Sequence, residues 1–279
     1  MDSNAQKEKA EQFRRLHHQA PLLVLPNAWD AASARIFARA GFNAIATTSS
    51  GVATALGYSD GQKISREMLI EALARITRVV ECPVTADIEA GFGDSIAEVL
   101  QTVKAVMATG VVGINIEDSL KQQEKALVDV AYQVELIKAL RELSTTLDIP
   151  FVINARVDVF LLAIGEPEGR FEHAVQRANA YLQAGADCVY PIGLLERETI
   201  ARLVKEINGP INILGGSPAP TLPELAQLGV ARVSLAGGLM RSTLGHLQTI
   251  AQELLEHGTY ASIDAEALSG AEFRTLFNA

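Results

Sequence analysis

Short apolar runs alternate with longer amphipathic stretches along the whole chain, the pattern of a parallel sheet covered by helices. Eight runs read as strands: Leu22–Pro26, Ala44–Thr48, Val84–Asp87, Gly113–Glu117, Phe151–Ala155, Cys188–Tyr190, Ile211–Leu214 and Arg232–Ser234. Helical spacing marks Ala31–Ala40, Arg66–Val80, Ser95–Ala108, Ala131–Leu147, Phe171–Ala184, Arg197–Ile207 and Leu222–Leu228. A helix end, a glycine and an apolar strand recur as ARAGFNAIA, MATGVVGINI, LQAGADCVY and AQLGVARVS. Gly41, Gly110, Gly185 and Gly229 are therefore expected to close helices in the left-handed conformation. Asp30 and Ser65 stand where a helix start wants a side-chain acceptor. Eight strand–helix units, with no G-x-G-x-x-G after the first strand, favour an α/β fold closed into a (β/α)8 TIM barrel over an open doubly wound sheet.

Composition narrows the class. A chain of 279 residues suits one barrel, so residues 1–279 are expected to form a single domain. No uninterrupted apolar run approaches the roughly 20 residues of a membrane span. The leading segment MDSNAQKEKAEQFRRLHHQ is charged and helix-like, without the apolar centre of a secretory signal, which predicts a cytoplasmic protein. A net charge of −9 argues against a nucleic-acid partner, since phosphate binding draws on Lys and Arg. Cys82 and Cys188 have no C-x-x-C partner and are expected to be buried thiols. His17, His18, His173, His246 and His257 fall in helix-like segments away from the strand ends and read as solvated or packing residues. Trp29 follows the first strand, either lining a pocket or packing there.

In such a barrel, chemistry concentrates at the C-terminal strand ends. Strand two runs into Thr48-Ser49-Ser50-Gly51-Val52, and its loop ends at Tyr58-Ser59-Asp60. Strand three ends in Asp87-Ile88-Glu89-Ala90-Gly91-Phe92-Gly93, strand four in Glu117-Asp118, and strand five in Asn154-Ala155-Arg156-Val157-Asp158. Asp87, Glu89 and Glu117 at one mouth would raise one another's pKa, a cost that a hard divalent cation removes. With no histidine or cysteine at these ends, Mg²⁺ is the expected ion, with Mn²⁺ as a substitute. The alternative is that these acids cap helices or pair with Arg156. That guanidinium suits a bidentate grip on a carboxylate or a structural ion pair. Gly91 and Gly93 free their loop to approach or cover a ligand, or simply make a turn. Gly215-Gly216-Ser217 and Gly237-Gly238 follow strands seven and eight, where barrels often cradle phosphate, so phosphate-ester chemistry is a rival reading. A catalytically silent binding protein on an enzyme fold is another.

The segments PNAWDAASARIFARAGFNAIATTSSGVA, ADIEAGFGD, GINIEDS and INARVDVF, in this order, resemble the isocitrate lyase / phosphoenolpyruvate mutase superfamily over roughly residues 20–245. The resemblance implies a (β/α)8 barrel whose last helix is exchanged between paired subunits, commonly within a tetramer, with 241–279 as the exchanged segment. It implies a small 2-oxo acid as substrate. Asp87 would be the direct Mg²⁺ ligand, and Glu89, Glu117 and Asp60 would hold metal-bound waters. Ser50, Gly51 and Val52 match the loop that grips a pyruvate-like unit, and Arg156 matches the arginine that stabilises an enolate.

Two departures redirect the expected reaction. Isocitrate and 2-methylisocitrate lyases of this superfamily carry K-K-C-G-H after I-E-D, with the cysteine serving proton transfer. Here the segment reads Ser119-Leu120-Lys121-Gln122-Gln123-Glu124-Lys125, which disfavours those lyases and leaves Glu124 as a substitute acid only with a raised pKa. The phosphonate branch often has a histidine near the end of strand six, where this chain has Tyr190-Pro191-Ile192. What the resemblance leaves is decarboxylation of oxaloacetate, or cleavage of another 2-oxo or 2-hydroxy acid, through an enolate. Tyr58, Tyr190 and metal-bound water are the candidates to protonate it.

Overall fold

The computed structural model describes residues 3–120 and 125–277. The chain begins with helix α1 (Ser3–Leu16), then makes β1 (Leu23–Leu25), β2 (Asn27–Ala28), α2 (Ala31–Arg39), β3 (Ile45–Thr47), α3 (Ser49–Ala55), α4 (Arg66–Arg78), β4 (Val84–Asp87) and α5 (Ile96–Ala108). It continues through β5 (Gly113–Glu117), α6 (Val130–Thr146), β6 (Val152–Val157), α7 (Arg170–Ala184), β7 (Cys188–Pro191), α8 (Arg197–Glu206), β8 (Asn212–Leu214), α9 (Leu222–Leu228) and β9 (Arg232–Ser234). Three helices finish it, α10 (Gly238–Glu256), α11 (Ala261–Ala265) and α12 (Gly270–Arg274).

All strand pairs are parallel. One set runs β2-β3-β4-β5-β6-β7, the other β1-β9-β8. Pro26, which has no N–H to donate, separates β1 from β2. On one side of it Leu23 pairs with Arg232, and on the other Asn27 pairs with Ala46. Val189 bridges Ile211 between β7 and β8. Pairing thus follows chain order and returns to the first strand, the order of a (β/α)8 barrel.

Local chemistry sets the helix ends. The Asp30 side chain accepts from Ser33 N at 2.7 Å and Ser65 accepts from Met68 N at 3.2 Å, as N-caps should. Gly41, Gly110, Gly185 and Gly229 all adopt positive φ at helix ends. Outward strand residues such as Ile114, Ile116, Val189 and Val233 are buried with Leu69, Leu73, Leu136 and Leu203 of the surrounding helices. Each such side chain contributes on the order of 1.5–3 kcal/mol relative to exposure.

The inner faces, at alternate strand positions, are polar instead. Arg232 of β9 donates to Asn115 Oδ1 of β5 at 3.0 Å, a bond between strands that are not neighbours and so cross the interior. Helix α1 underlies the strand starts: a Cβ at Gly113 would lie 3.0 Å from Phe13 Cε1. Close by, His17 is buried, with Nδ1 against Phe13 O at 2.9 Å, a packing residue as its sequence context implied.

Three expectations need correction. Strand β6 runs past Ala155 to Val157, because Arg156 continues the register opposite Glu117 and Tyr190. Residues after β3 do not form an extended loop but the short helix α3, with Thr48 as its N-cap. Cys188 is buried, but Cys82 is only half-buried, because it lies in the turn before β4 and not in the sheet. No described helix is long and apolar enough to cross a membrane. Helix α10 starts three residues before Arg241 and buries only Met240.

Candidate active site

Strands β4, β5 and β6 bring Asp87, Glu117 and Arg156 to adjacent positions, since Asp87 pairs in register with Asn115 and Glu117 with Arg156. The Arg156 guanidinium grips Asp158 with both Nε, 2.6 Å from Oδ1, and Nη2, 2.7 Å from Oδ2, and it also pairs with Glu117. Burial opposes its charge, but Glu117 and Asp158 outweigh that and hold its pKa far above the ordinary value. These contacts run through Nε and Nη2, and Nη1 is the third nitrogen of the group. Asp158 is itself anchored: its N–H donates to Asp118 Oδ1 at 2.9 Å, and Asp118 Oδ2 accepts from Tyr181 at 2.7 Å and Arg177 at 3.2 Å.

Asp87 Oδ2 accepts from the Ser49 hydroxyl at 3.0 Å and more weakly from its N–H at 3.4 Å. Burial raises the Asp87 pKa, and repulsion from Glu117 and Asp60 adds to this against the pull of Arg156 and Ser49. Glu89, two residues on, has φ +52, a conformation uncommon for a residue with a Cβ. Its Oε1 accepts from Gln62 N at 2.9 Å, while Gln62 Oε1 accepts from Phe92 N at 2.8 Å. Gln62 therefore ties the loop after α3 to the loop after β4. In that second loop a Cβ at Gly91 would lie 2.6 Å from Val99 Cγ1, and one at Gly93 would lie 2.9 Å from Val99 N. These glycines are required by close packing on the start of α5.

Among the described residues no three His, Cys, Asp or Glu side chains are grouped as direct ligands of one ion. Of the three acids at the mouth, Glu89 turns to Gln62, Glu117 to Arg156 and Ser119, and Asp87 to Ser49. Asp60 is exposed in the loop after α3 and acts on Asp87 through its charge. Ser50 lies 3.0 Å from Thr48 Oγ1 by its hydroxyl. Gly51 is tightly packed, since a Cβ there would lie 2.9 Å from Trp29 Cβ. Val52 goes to the core, and its N–H donates to Thr48 O within α3 at 2.9 Å. Lys121, Gln122, Gln123 and Glu124, the centre of the expected departure from K-K-C-G-H, lie outside the described residues. Sequence reading missed the roles of Ser49, Gln62 and Asp158. The Ser-Ser pair after β3 and the i,i+2 spacing of Arg156 and Asp158 were the available signals.

Two cavities flank the mouth. One of about 830 Å³ reaches Glu117, Ser119, Gln62, Phe92 and Tyr132. The other, of about 580 Å³, reaches Ser50, Gly51, Gly216 and Gly237, with leucines and Met240 forming much of its wall and Arg241 at its rim.

A family model described as phosphoenolpyruvate phosphomutase matches residues 13–255. An uncharacterized protein of Mycobacterium tuberculosis (strain CDC 1551 / Oshkosh) is 38% identical over 222 residues, 80% of either chain. The 2-methylisocitrate lyase of Escherichia coli (strain K12) is 31% identical over 236 residues, 81% of this chain and 77% of that one. A solved structure from Burkholderia cenocepacia J2315, described no further than as a lyase or mutase, superposes with a TM-score of 0.91 at 34% identity and covers 99% of this chain and 98% of its own.

Proposed function

We propose, on the premise that the chain belongs to the phosphoenolpyruvate phosphomutase family and so to the isocitrate lyase / phosphoenolpyruvate mutase superfamily, that it is a lyase forming an enolate from a small 2-oxo acid, with oxaloacetate as substrate. The observation that carries this reading is Arg156, fixed between Glu117 and Asp158 beside Asp87. A permanently charged, immobile donor is what a developing oxyanion requires.

The donor chemistry fits Mg²⁺ held directly by Asp87 alone. Asp87 is a carboxylate at the mouth destabilised by burial and by Glu117 and Asp60, and a hard cation that keeps most of its waters would relieve it. Glu117, Glu89 and Asp60 would then act on those waters. When bound, the ion supplies Lewis-acid polarisation of the 2-oxo group. The chain's own residues do the rest. Ser49 keeps Asp87 oriented, and Ser50 and Gly51 border the space for the carboxylate end of the substrate. As the C3–C4 bond of oxaloacetate breaks and CO₂ leaves, the electron pair passes to the enolate, and Arg156 Nη1 meets the growing negative charge. One such donor contributes roughly 3–4 kcal/mol to lowering the barrier.

Cleavage of a 2-methylisocitrate-type substrate is a second reading, favoured by the Escherichia coli relative. The absence of cysteine and histidine from Ser119–Lys125 speaks against it. Phosphate-ester chemistry has less support, since the cavity beside Gly215–Ser217 is walled largely by apolar side chains. As to assembly, α10 leaves Leu244, Leu247 and Leu255 exposed, which supports a second copy of the chain as its cover and the exchanged-helix oligomer as the working form. Calorimetry with Mg²⁺ and oxalate, an enolate mimic, tests the site. Binding of oxalate only when Mg²⁺ is present is expected, and no binding under either condition would remove the enolate reading.

A further inference from the structure

The barrel interior has more hydrogen-bonding capacity than it uses. Among the described residues, Thr85 Oγ1, Asn154 Oδ1, Tyr190 Oη, and Arg232 Nε and Nη1 are buried without a partner. These atoms sit on inner faces of β4, β6, β7 and β9. Arg232 is wholly buried, and the bond to Asn115 uses only its Nη2. A guanidinium in that position without a carboxylate is strongly unfavourable unless something else solvates it. An acceptor-only amide oxygen, two hydroxyls and two N–H donors make a mixed set, which suits water.

Tyr190 stands at the top of this layer. It pairs in register with Arg156, and Arg156, Asp87 and Arg232 are the charges that act on its hydroxyl. Burial holds that hydroxyl up at about 12, so it carries its proton at neutral pH. Tyr58, by contrast, is 44% exposed in the loop after α3, and Cys188 lies a layer deeper.

On the enolate reading of the site, we propose that Tyr190 gives the proton that quenches the enolate carbon, and that Arg232 is a positioning residue holding the resulting tyrosinate through buried water. The enolate electron pair forms the new C–H bond, the O–H bond of Tyr190 breaks, and its electron pair stays on Oη. Buried water beside Arg232 then returns a proton from solvent. No other co-reactant is needed.

Tyr190→Phe keeps the ring and its packing and removes only a buried hydroxyl, so the variant folds. The test is exchange of pyruvate methyl protons in D₂O, followed by NMR with full-length protein and Mg²⁺, which reads proton transfer without any C–C cleavage. Wild-type protein is expected to catalyse exchange, with Tyr190→Phe slower by about 100-fold or more, the lower range for a positioned acid–base group, while oxalate binding is unchanged. Arg232→Gln should slow exchange with oxalate binding retained, and Arg232→Lys should recover part of it. Tyr190→Phe exchanging at the wild-type rate would overturn the proposal, as would wild-type protein that binds oxalate but exchanges nothing. Wild-type protein that binds no oxalate would instead remove the enolate reading beneath it.

Discussion

Arg156 and Asp158, two residues apart at the end of β6, form a two-pronged pair, Nε to Oδ1 at 2.6 Å and Nη2 to Oδ2 at 2.7 Å. The same guanidinium holds Glu117 on the neighbouring strand. Behind Asp158 stand Asp118, Tyr181 and Arg177, so helix α7 braces a group at the barrel mouth. A charge held from two sides cannot follow the substrate, and the substrate must conform to it.

Asp158→Asn keeps the size of the side chain but removes the charge and one acceptor. It should lower kcat by about 100-fold, the usual effect of misplacing a catalytic group by an ångström, with circular dichroism unchanged. A wild-type kcat would show that Arg156 needs no such brace.

Asp87 should separate activity from stability. Its carboxyl is held above the ordinary carboxylate range by burial first, then by Glu117 and Asp60, so the ionised group burdens the fold. Asp87→Ala is expected to abolish turnover while the unfolding temperature stays level or rises. Loss of both together would make Asp87 a structural residue.

Much of this was legible beforehand. The positions of Asp87 and Glu117 followed from apolar runs ending in acids, and that of Arg156 from its place just past the end of another, because one inward residue at each strand end must face the mouth. Helix bounds came within two residues where caps such as Asp30 and Ser65 mark them. Less legible were features made by contacts distant in sequence. Gln62 reads as an ordinary loop amide until the fold sets it against Glu89 and Phe92, 27 and 30 residues away. The polar interior around Asn115, Asn154 and Arg232 was hidden for a similar reason: strands this short carry only two or three inward positions, too few for a visible alternation. Helix α3 escaped because Ser-Ser-Gly-Val-Ala-Thr-Ala has weak helix propensity, and capping by Thr48 and packing on Trp29 stabilise it.

His17 makes a pH prediction away from the mouth. Burial, then Arg232, lowers its pKa from 6.5 to about 3. The unfolded chain therefore takes up a proton below 6.5 that the folded chain refuses until about 3, so stability is full above this window and falls as pH drops through it. Between pH 7 and pH 5 the loss is about 2 kcal/mol. Urea unfolding at the two pH values should show this difference shrinking by about that amount in His17→Leu. An unchanged difference would mean that His17 is protonated in the folded chain.

Substrate choice follows from Ser119–Lys125. With neutral amides where the related lyases carry a cysteine, decarboxylation of oxaloacetate should exceed cleavage of isocitrate or 2-methylisocitrate by at least about 100-fold. A dehydrogenase-coupled assay detecting rapid release of glyoxylate or pyruvate from either tricarboxylate would reverse the order and direct attention to Glu124.

The central claim is that Asp87, Arg156 and a divalent cation together stabilise an enolate. Its most direct test is the rate of oxaloacetate consumption by the purified protein, measured with Mg²⁺, after exhaustive EDTA treatment, and after Mg²⁺ is restored. Turnover is expected in the first and third conditions and only the spontaneous rate in the second. Equal protein-dependent rates in all three, or no rate above the spontaneous one in any, would contradict it.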